Sequence, residues 1–291
     1  MHIGVDIGGT KTDAVVATAD GKVVGRRRLP TGTGGPAAAA AATAAVAQAC
    51  TDAGLAVGDA SSIGVGVPGA VQHGVVSHAI NLGIERFDLG GALAAQWGVT
   101  PVVDNDVNAA ALGAWVLGGQ AVSSMAFLNL GTGLAAGLVL DGKLWRGARN
   151  GAGEVGHVSI DPDGPTDAHG QRGTIETYAS GSGIARQTGI DSAADALADP
   201  ANDAVRRGLF FGVASAVRTL VLTVDVERVV LGGGLTAMGA PLVDGVRAVF
   251  ADWSAGSRFL ASLELGERIA VIDPGLPVAA VGAAMVGSGR G

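Results

Sequence analysis

The stretch VDIGGTKTDAV, Val5 to Val15, decides how the chain is read. An apolar strand, His2–Ile7, runs into two glycines, a threonine and a lysine, and a second apolar run follows. Such a turn lets backbone N–H groups approach an anion without an intruding side chain, and the threonine hydroxyl adds a donor. It would serve equally as a tight hairpin. The pattern then returns, about 120 residues later. Met125–Leu130 is again an apolar strand, Gly131-Thr132-Gly133 the turn, and Leu134–Leu140 the second apolar run. Both copies end in Asp-Gly-Lys, at Asp20–Lys22 and Asp141–Lys143, and a polar residue, Asp6 or Asn129, stands just before each turn. Duplication accounts for this better than a chance likeness of two hairpins. Two facing turns of this kind can grip a polyphosphate from both sides.

The totals bound what such a unit can serve. With 291 residues, 48% hydrophobic and 15% charged, the chain can build one large domain or two lobes around a substantial core. A net charge of −7 without a Lys/Arg cluster excludes a nucleic-acid partner, because phosphate neutralisation dominates that affinity. Arg26-Arg27-Arg28 is too short to alter this and reads as a solvated strand end. The one cysteine, Cys50, rules out a disulfide within the chain and suits a reducing compartment. No signal peptide is expected before the first strand, and no apolar run reaches the roughly 18 residues a membrane span needs. A cytoplasmic protein with no membrane partner is expected.

Around the duplicated units, Asp20-Gly21 predicts a hairpin between Ala14–Thr18 and Lys22–Arg27. Helices are expected at Pro36–Ala53, Asn108–Leu117, Ala201–Val224, Pro241–Phe250 and Val278–Val286, and strands at Ser62–Val67, Pro101–Val103 and Arg228–Leu231. The last strand opens a third glycine turn, Gly232-Gly233-Gly234. Neither G-x-x-x-x-G-K-[ST] nor a strand followed by G-x-G-x-x-G occurs. Three glycine turns at strand ends make an adenine nucleotide the economical ligand. VVDNDVN, Val102 to Asn108, puts Asp104, Asn105 and Asp106 between a strand and a helix, where α/β proteins carry chemistry. Asp106 alone could be a helix N-cap. GEVGH puts Glu154 and His157 three residues apart, so one helical turn would aim both at one ligand, or at solvent. Glu176 follows a Gly/Pro/Asp-rich loop.

Taken together, DIGGTKT, NDVNAAALG, LNLGTGLAAG, GAGEVGH, IETYASG and RVVLGGGL resemble the motifs of the ROK sugar kinases, in their order and approximate spacing over nearly the whole chain. The resemblance extends to glucokinases and N-acetylhexosamine kinases of that family. It implies an α/β, actin-like (ribonuclease H-like), duplicated two-lobed fold. A small lobe would span 1–107, with the final helix, 277–291, packing back on it, and a large lobe would span 108–276. ATP and a hexose would occupy the cleft. By the same resemblance Asp106 would be the general base, and Asn105, Glu154, His157, Glu176, Gly69 and Asn81 would contact the sugar. Asp6 would face Mg²⁺, and Gly8, Gly9, Thr10, Lys11, Gly131, Thr132 and Gly133 would hold the phosphates. Gly233 and Gly234 would form the adenosine-side turn. A homodimer is expected.

One departure stands out. The family carries a zinc loop in which the histidine corresponding to His157 is joined by three cysteines. Here the loop reads DPDGPTDAHGQRGTIE, Asp161 to Glu176, with Asp167, His169 and Thr174 in their places. A threonine is a poor fourth ligand, so structural zinc is not expected. Pro162 and Pro165, with backbone hydrogen bonds, are expected to hold the loop instead. Family regulators place a helix-turn-helix before the phosphate turn, and none is expected here. The first reading is an ATP-dependent hexose 6-kinase, glucose being the default. The alternatives are an amino-sugar 6-kinase (N-acetylglucosamine, N-acetylmannosamine, glucosamine or 3-amino-3-deoxyglucose) and a non-catalytic sugar sensor. Polyphosphate as donor stays open.

Overall fold

The computed structural model of the chain describes residues 1–290. β1 (His2–Ile7), β2 (Lys11–Ala17) and β3 (Val23–Pro30) form an antiparallel meander. α1 (Gly35–Ala53) leads to β4 (Ser62–Val67), and a small antiparallel sheet of β5 (Ala70–Gln72), β6 (Val75–Ala79) and β7 (Ile84–Asp88) follows. Then come α2 (Leu89–Trp97), β8 (Val102–Asn105) and α3 (Asp106–Leu117). The first large sheet has the order β3-β2-β1-β4-β8, with β4 parallel to both β1 and β8.

The second large sheet repeats this plan. It begins with β9 (Ser124–Leu130), β10 (Leu134–Leu140) and β11 (Lys143–Trp145). A long connection carries α4 (Ile175–Ala179), α5 (Gly181–Thr188), α6 (Ala193–Ala198) and α7 (Asp203–Val224) before β12 (Arg228–Gly232). α8 (Ala240–Gly256), α9 (Arg258–Ser262) and α10 (Leu265–Arg268) precede β13 (Ile269–Val271), and α11 (Val278–Gly287) is the last helix. The order β11-β10-β9-β12-β13 matches the first sheet strand for strand, with β12 parallel to both β9 and β13. The duplication read from the two glycine–threonine turns is a duplication of the whole five-stranded plan. The fold class is actin-like α/β.

The chain divides into two compact units. One comprises Met1–Ser123, Gly137–Ala152 and the chain from Gly275; the other comprises Ser124–Ala136 and Gly153–Pro274. In the first unit the alanine face of α1, Ala38, Ala42, Ala45 and Ala49, shares a core with Ile3, Val5, Ile63 and Val65. α3 and α11 cross at a pair of glycines. A Cβ on Gly282 would lie 1.7 Å from Ala109 O, and one on Gly113 would lie 1.9 Å from Val278 O, so only glycine permits this approach. A cut at residue 107 follows the duplicated strands, whereas this packing keeps α3 in the first unit.

The second unit is built on α7, which buries Leu209, Val213, Val217 and Leu220. It contains the one described helix long and apolar enough to cross a membrane, and half of that segment is buried.

Two readings change. Arg26 and Arg28 are not merely solvated: both donate to the buried Asp13 carboxylate, with their shortest contacts at 2.7 and 2.6 Å, while Arg27 pairs with Asp52. The register of β2 against β3 sets Asp13 opposite Arg28, which no reading along the chain reveals. α3 starts two residues before the predicted Asn108, because Asn105, not Asp106, is its N-cap.

Candidate active site

In the first unit the candidate residues gather at the C-terminal ends of β1 and β8. The Gly8–Lys11 turn is closed by Gly8 N–H donating to Lys11 O at 2.9 Å, and Thr31 Oγ1 donates to Gly8 O at 2.8 Å. Thr10 and Lys11 are exposed. Gly9 packs against the backbone of Asn81, itself exposed in the helical turn Ile80–Leu82, so those two predicted residues are neighbours. The Asp6 carboxyl is pushed up to about 7. Desolvation is the main cause, the Asp106 and Asp13 carboxylates add to it, and Arg28 works in the opposite direction. A desolvated carboxyl beside a second carboxylate is a place where a divalent cation relieves repulsion. Mg²⁺ typically binds through one or two carboxylates, its other positions going to phosphate and water, and the Asp6 carboxyl fits such a position.

Asp106 is the first residue of α3, and its Oδ1 accepts from Val107 N–H at 3.0 Å. Asn105 is committed to the backbone: its Oδ1 accepts from Val107 and Asn108, and its Nδ2 donates to Gly69 O at 3.2 Å. Asp104 holds this helix start in place. Its Oδ1 accepts from Asn105 N at 2.7 Å and Asn108 Nδ2 at 3.1 Å, and its Oδ2 accepts Arg146 Nη2 and Nε at 2.6 and 2.9 Å. Sequence reading passed over Arg146, because 42 positions separate it from its partner. Replacing Arg146 by Met strands a carboxylate whose side chain is only 10% exposed. The expected loss is about 2 kcal/mol, below the full penalty for a broken buried pair because Arg146 itself is partly in water. Urea denaturation of the two proteins checks this.

In the second unit the Gly131–Gly133 turn rests on the N-terminus of α5. Gly181 N–H donates to Gly131 O at 2.9 Å and Ser182 N–H to Thr132 O at 3.0 Å, and Ser180 caps that helix. Glu176, on α4, accepts from Leu134 N–H at 2.9 Å, which sets it beside the phosphate turn. Gly233 has φ +89° and lies against Leu130, a conformation and closeness that exclude a side chain. Gly131, Thr132 and Gly234 share one cavity of about 900 Å³. Its lining is polar at Gly131, Thr132, Ser182 and Asp191 and apolar at Leu197, Leu235 and Met238. A cavity lined by both a candidate phosphate turn and apolar side chains suits a nucleotide. The α5 and α6 wall of this cavity was not read from the sequence. Its signals are capping serines, Ser180 and Ser192, before short alanine- and glycine-containing segments.

Glu154 caps a tight 3₁₀ turn, Val155–His157, which His157 ends, and both are exposed. His157 Nδ1 lies 2.9 Å from Gln171 Oε1, and the His157 and His169 rings meet edge to face at 5.5 Å. Asp167 is buried. Desolvation opposes ionisation of its carboxyl, yet backbone N–H bonds from Gln171 and His169 outweigh this and hold it below the usual carboxylate range. Its Oδ1 accepts from both N–H groups at 2.8 Å, and Thr174 Oγ1 donates to Oδ2 at 3.4 Å. Among the described residues, no three His, Cys, Asp or Glu side chains converge as metal ligands. With Asp167 committed to the backbone, the donor set does not fit tetrahedral zinc.

The ROK family model matches residues 2–267. A glucokinase of Halalkalibacterium halodurans is 30% identical, over 86% of this chain and 84% of its own. An N-acetylmannosamine kinase of Salmonella arizonae is 31% identical, over 80% of this chain and 82% of its own. The structure of a ROK family glucokinase from Streptomyces griseus, in complex with glucose and AMPPNP, superposes with a TM-score of 0.78 at 28% identity, covering 99% of both chains. The duplicated sheets, the two glycine–threonine turns and this match along most of the sequence agree: the chain belongs to the ROK family.

Proposed function

We propose that the chain transfers the γ-phosphoryl group of ATP to the 6-hydroxyl of glucose or a close analogue, with Asp106 as general base. The chain is an ATP-dependent sugar kinase. The observation that carries the fuller reading is the cavity of about 900 Å³ that the Gly131–Thr132 turn lines together with Leu197, Leu235 and Met238. Phosphoryl transfer asks a protein for alignment, charge neutralisation and an oriented nucleophile. Backbone N–H groups of the Gly8–Thr10 and Gly131–Gly133 turns and the Lys11 ammonium would bind phosphate oxygens; the Gly233–Gly234 turn would border the adenosine. Asp6 would hold Mg²⁺, which neutralises phosphate charge when bound. Asp106 would accept the sugar hydroxyl proton as the oxygen bonds to phosphorus and the bond to the ADP oxygen breaks. Glu154, Glu176 and His157 would orient the sugar through its other hydroxyls, with Asn81, Gly69 and Asn105 bordering it.

The second reading is an amino-sugar 6-kinase. The N-acetylmannosamine kinase relative supports it, as does the altered loop beside His157. The single buried Cys50 suits a cytoplasmic setting, and a homodimer is proposed from the family resemblance. A coupled assay with Mg·ATP and glucose, mannose, glucosamine, its 3-amino isomer and the N-acetyl sugars tests both readings. Turnover of one is expected. No turnover of any would favour a sensor. In the same preparation, elemental analysis is expected to find well below one zinc per chain. Activity should return fully after chelation once Mg²⁺ is restored; recovery by zinc alone would overturn the reading of the loop.

A further inference from the structure

The segment after His157 closes on itself. Ser159 and Thr174 form a bridge at its base, and Thr166 and Arg172 form another near its tip. Asp167 N–H donates to Gln171 O at 2.8 Å, and Gln171 N–H donates back to Asp167 Oδ1 at 2.8 Å. The Gln171 backbone is thus gripped twice by one buried residue, and its side chain is presented to His157. An amide oxygen can only accept. With the amide oxygen turned to the ring, the 2.9 Å contact of His157 Nδ1 with Gln171 Oε1 favours the proton on Nδ1 and leaves Nε2 as the acceptor nitrogen. The His169 ring, edge-on at 5.5 Å, narrows the space for rotation of the imidazole.

We propose that Gln171, held by Asp167, is a positioning and specificity-determining residue: it fixes His157 in the tautomer whose Nε2 accepts a hydroxyl proton from the sugar. This rests on the sugar-kinase reading and adds a residue to it. A substrate must then donate a hydroxyl at that position. A sugar lacking that hydroxyl, or carrying an ether there, leaves Nε2 without its donor.

Two arms test this on the full chain. In kinetics, Gln171→Leu removes the acceptor, while Gln171→Glu keeps one. Leu is expected to raise KM for the sugar about three- to tenfold, the range for one lost hydrogen bond, with kcat and KM for ATP changed less than about twofold. Glu should restore the sugar KM. Among monodeoxy sugars, one should be poor for the parent protein and lose nothing further in Gln171→Leu. An unchanged sugar KM in Leu, or an equal rise in both KM values, overturns the proposal.

The second arm is ¹⁵N NMR of the histidine rings without any ligand, with His157 assigned by its loss in His157→Asn. The parent should show protonated Nδ1 and unprotonated Nε2, and Leu should show a mixture. The same tautomer in parent and Leu overturns the proposal. If no hexose is turned over, the kinase reading fails, and the NMR arm still decides whether Gln171 sets the ring. Gln171→Met is the second variant should Leu not fold.

Discussion

Replacing Asp106 by Asn is expected to lower kcat at least ~10²-fold, the lower range for losing a general base. KM for the sugar should change little, because an interaction used in proton transfer is being removed rather than a binding contact. Asn keeps an Oδ1 that can accept from Val107 N–H, and the cap of α3 is Asn105, which is untouched. It also takes away one of the two carboxylates that raise Asp6. Steady-state kinetics over sugar and ATP read the result. Near-normal turnover would mean that Asp106 merely starts a helix.

Gly282→Ala is the largest expected effect on stability, a loss of about 3 kcal/mol or more. The added carbon would lie 1.7 Å from Ala109 O, a backbone atom of α3 that cannot turn aside as a side chain would. The α3–α11 crossing must open, and Gly113 sits in the same contact. Gly256→Ala, at the end of α8 with open space around it, is the control and should stay within about 0.5 kcal/mol. Denaturant melts of the three proteins give the comparison. Equal midpoints for parent and Gly282→Ala would mean the two helices do not touch this closely.

The duplicated units were legible because buried strands are written as apolar runs and their hairpins need left-handed residues. Gly21, Asp141 and Gly142 all have positive φ, as the two Asp-Gly-Lys turns require. The small sheet β5–β7 was not legible: its strands are three to five residues long and mostly exposed or only partly buried, so no clean alternation marks them. Adjacent Asn105 and Asp106 are both good capping residues, and only the backbone decides between them. In the candidate site, the turns and Asp106 stood out as motifs. Asp104 with Arg146, and Asp167 with Gln171, did not. The first pairs a carboxylate with a donor 42 positions away, and the second is a contact four residues apart inside an irregular loop, so neither has a spacing that repeats.

The Asp167 hairpin has a consequence for the conditions the protein can work in. A loop closed by its own carboxylate and amide folds in one molecular step, so its occupancy does not follow the concentration of any ion. Its holding atoms are oxygens and amide nitrogens, which lie outside the oxidation chemistry that consumes thiolates. Chelators and oxidants should therefore leave its shape alone. Acid is its weak point. The Asp167 carboxyl titrates below its unfolded value, so its stabilisation is complete above the ordinary carboxylate pKa and drains away as the pH falls through the lowered one. The loop beside His157 is thus expected to loosen in strong acid.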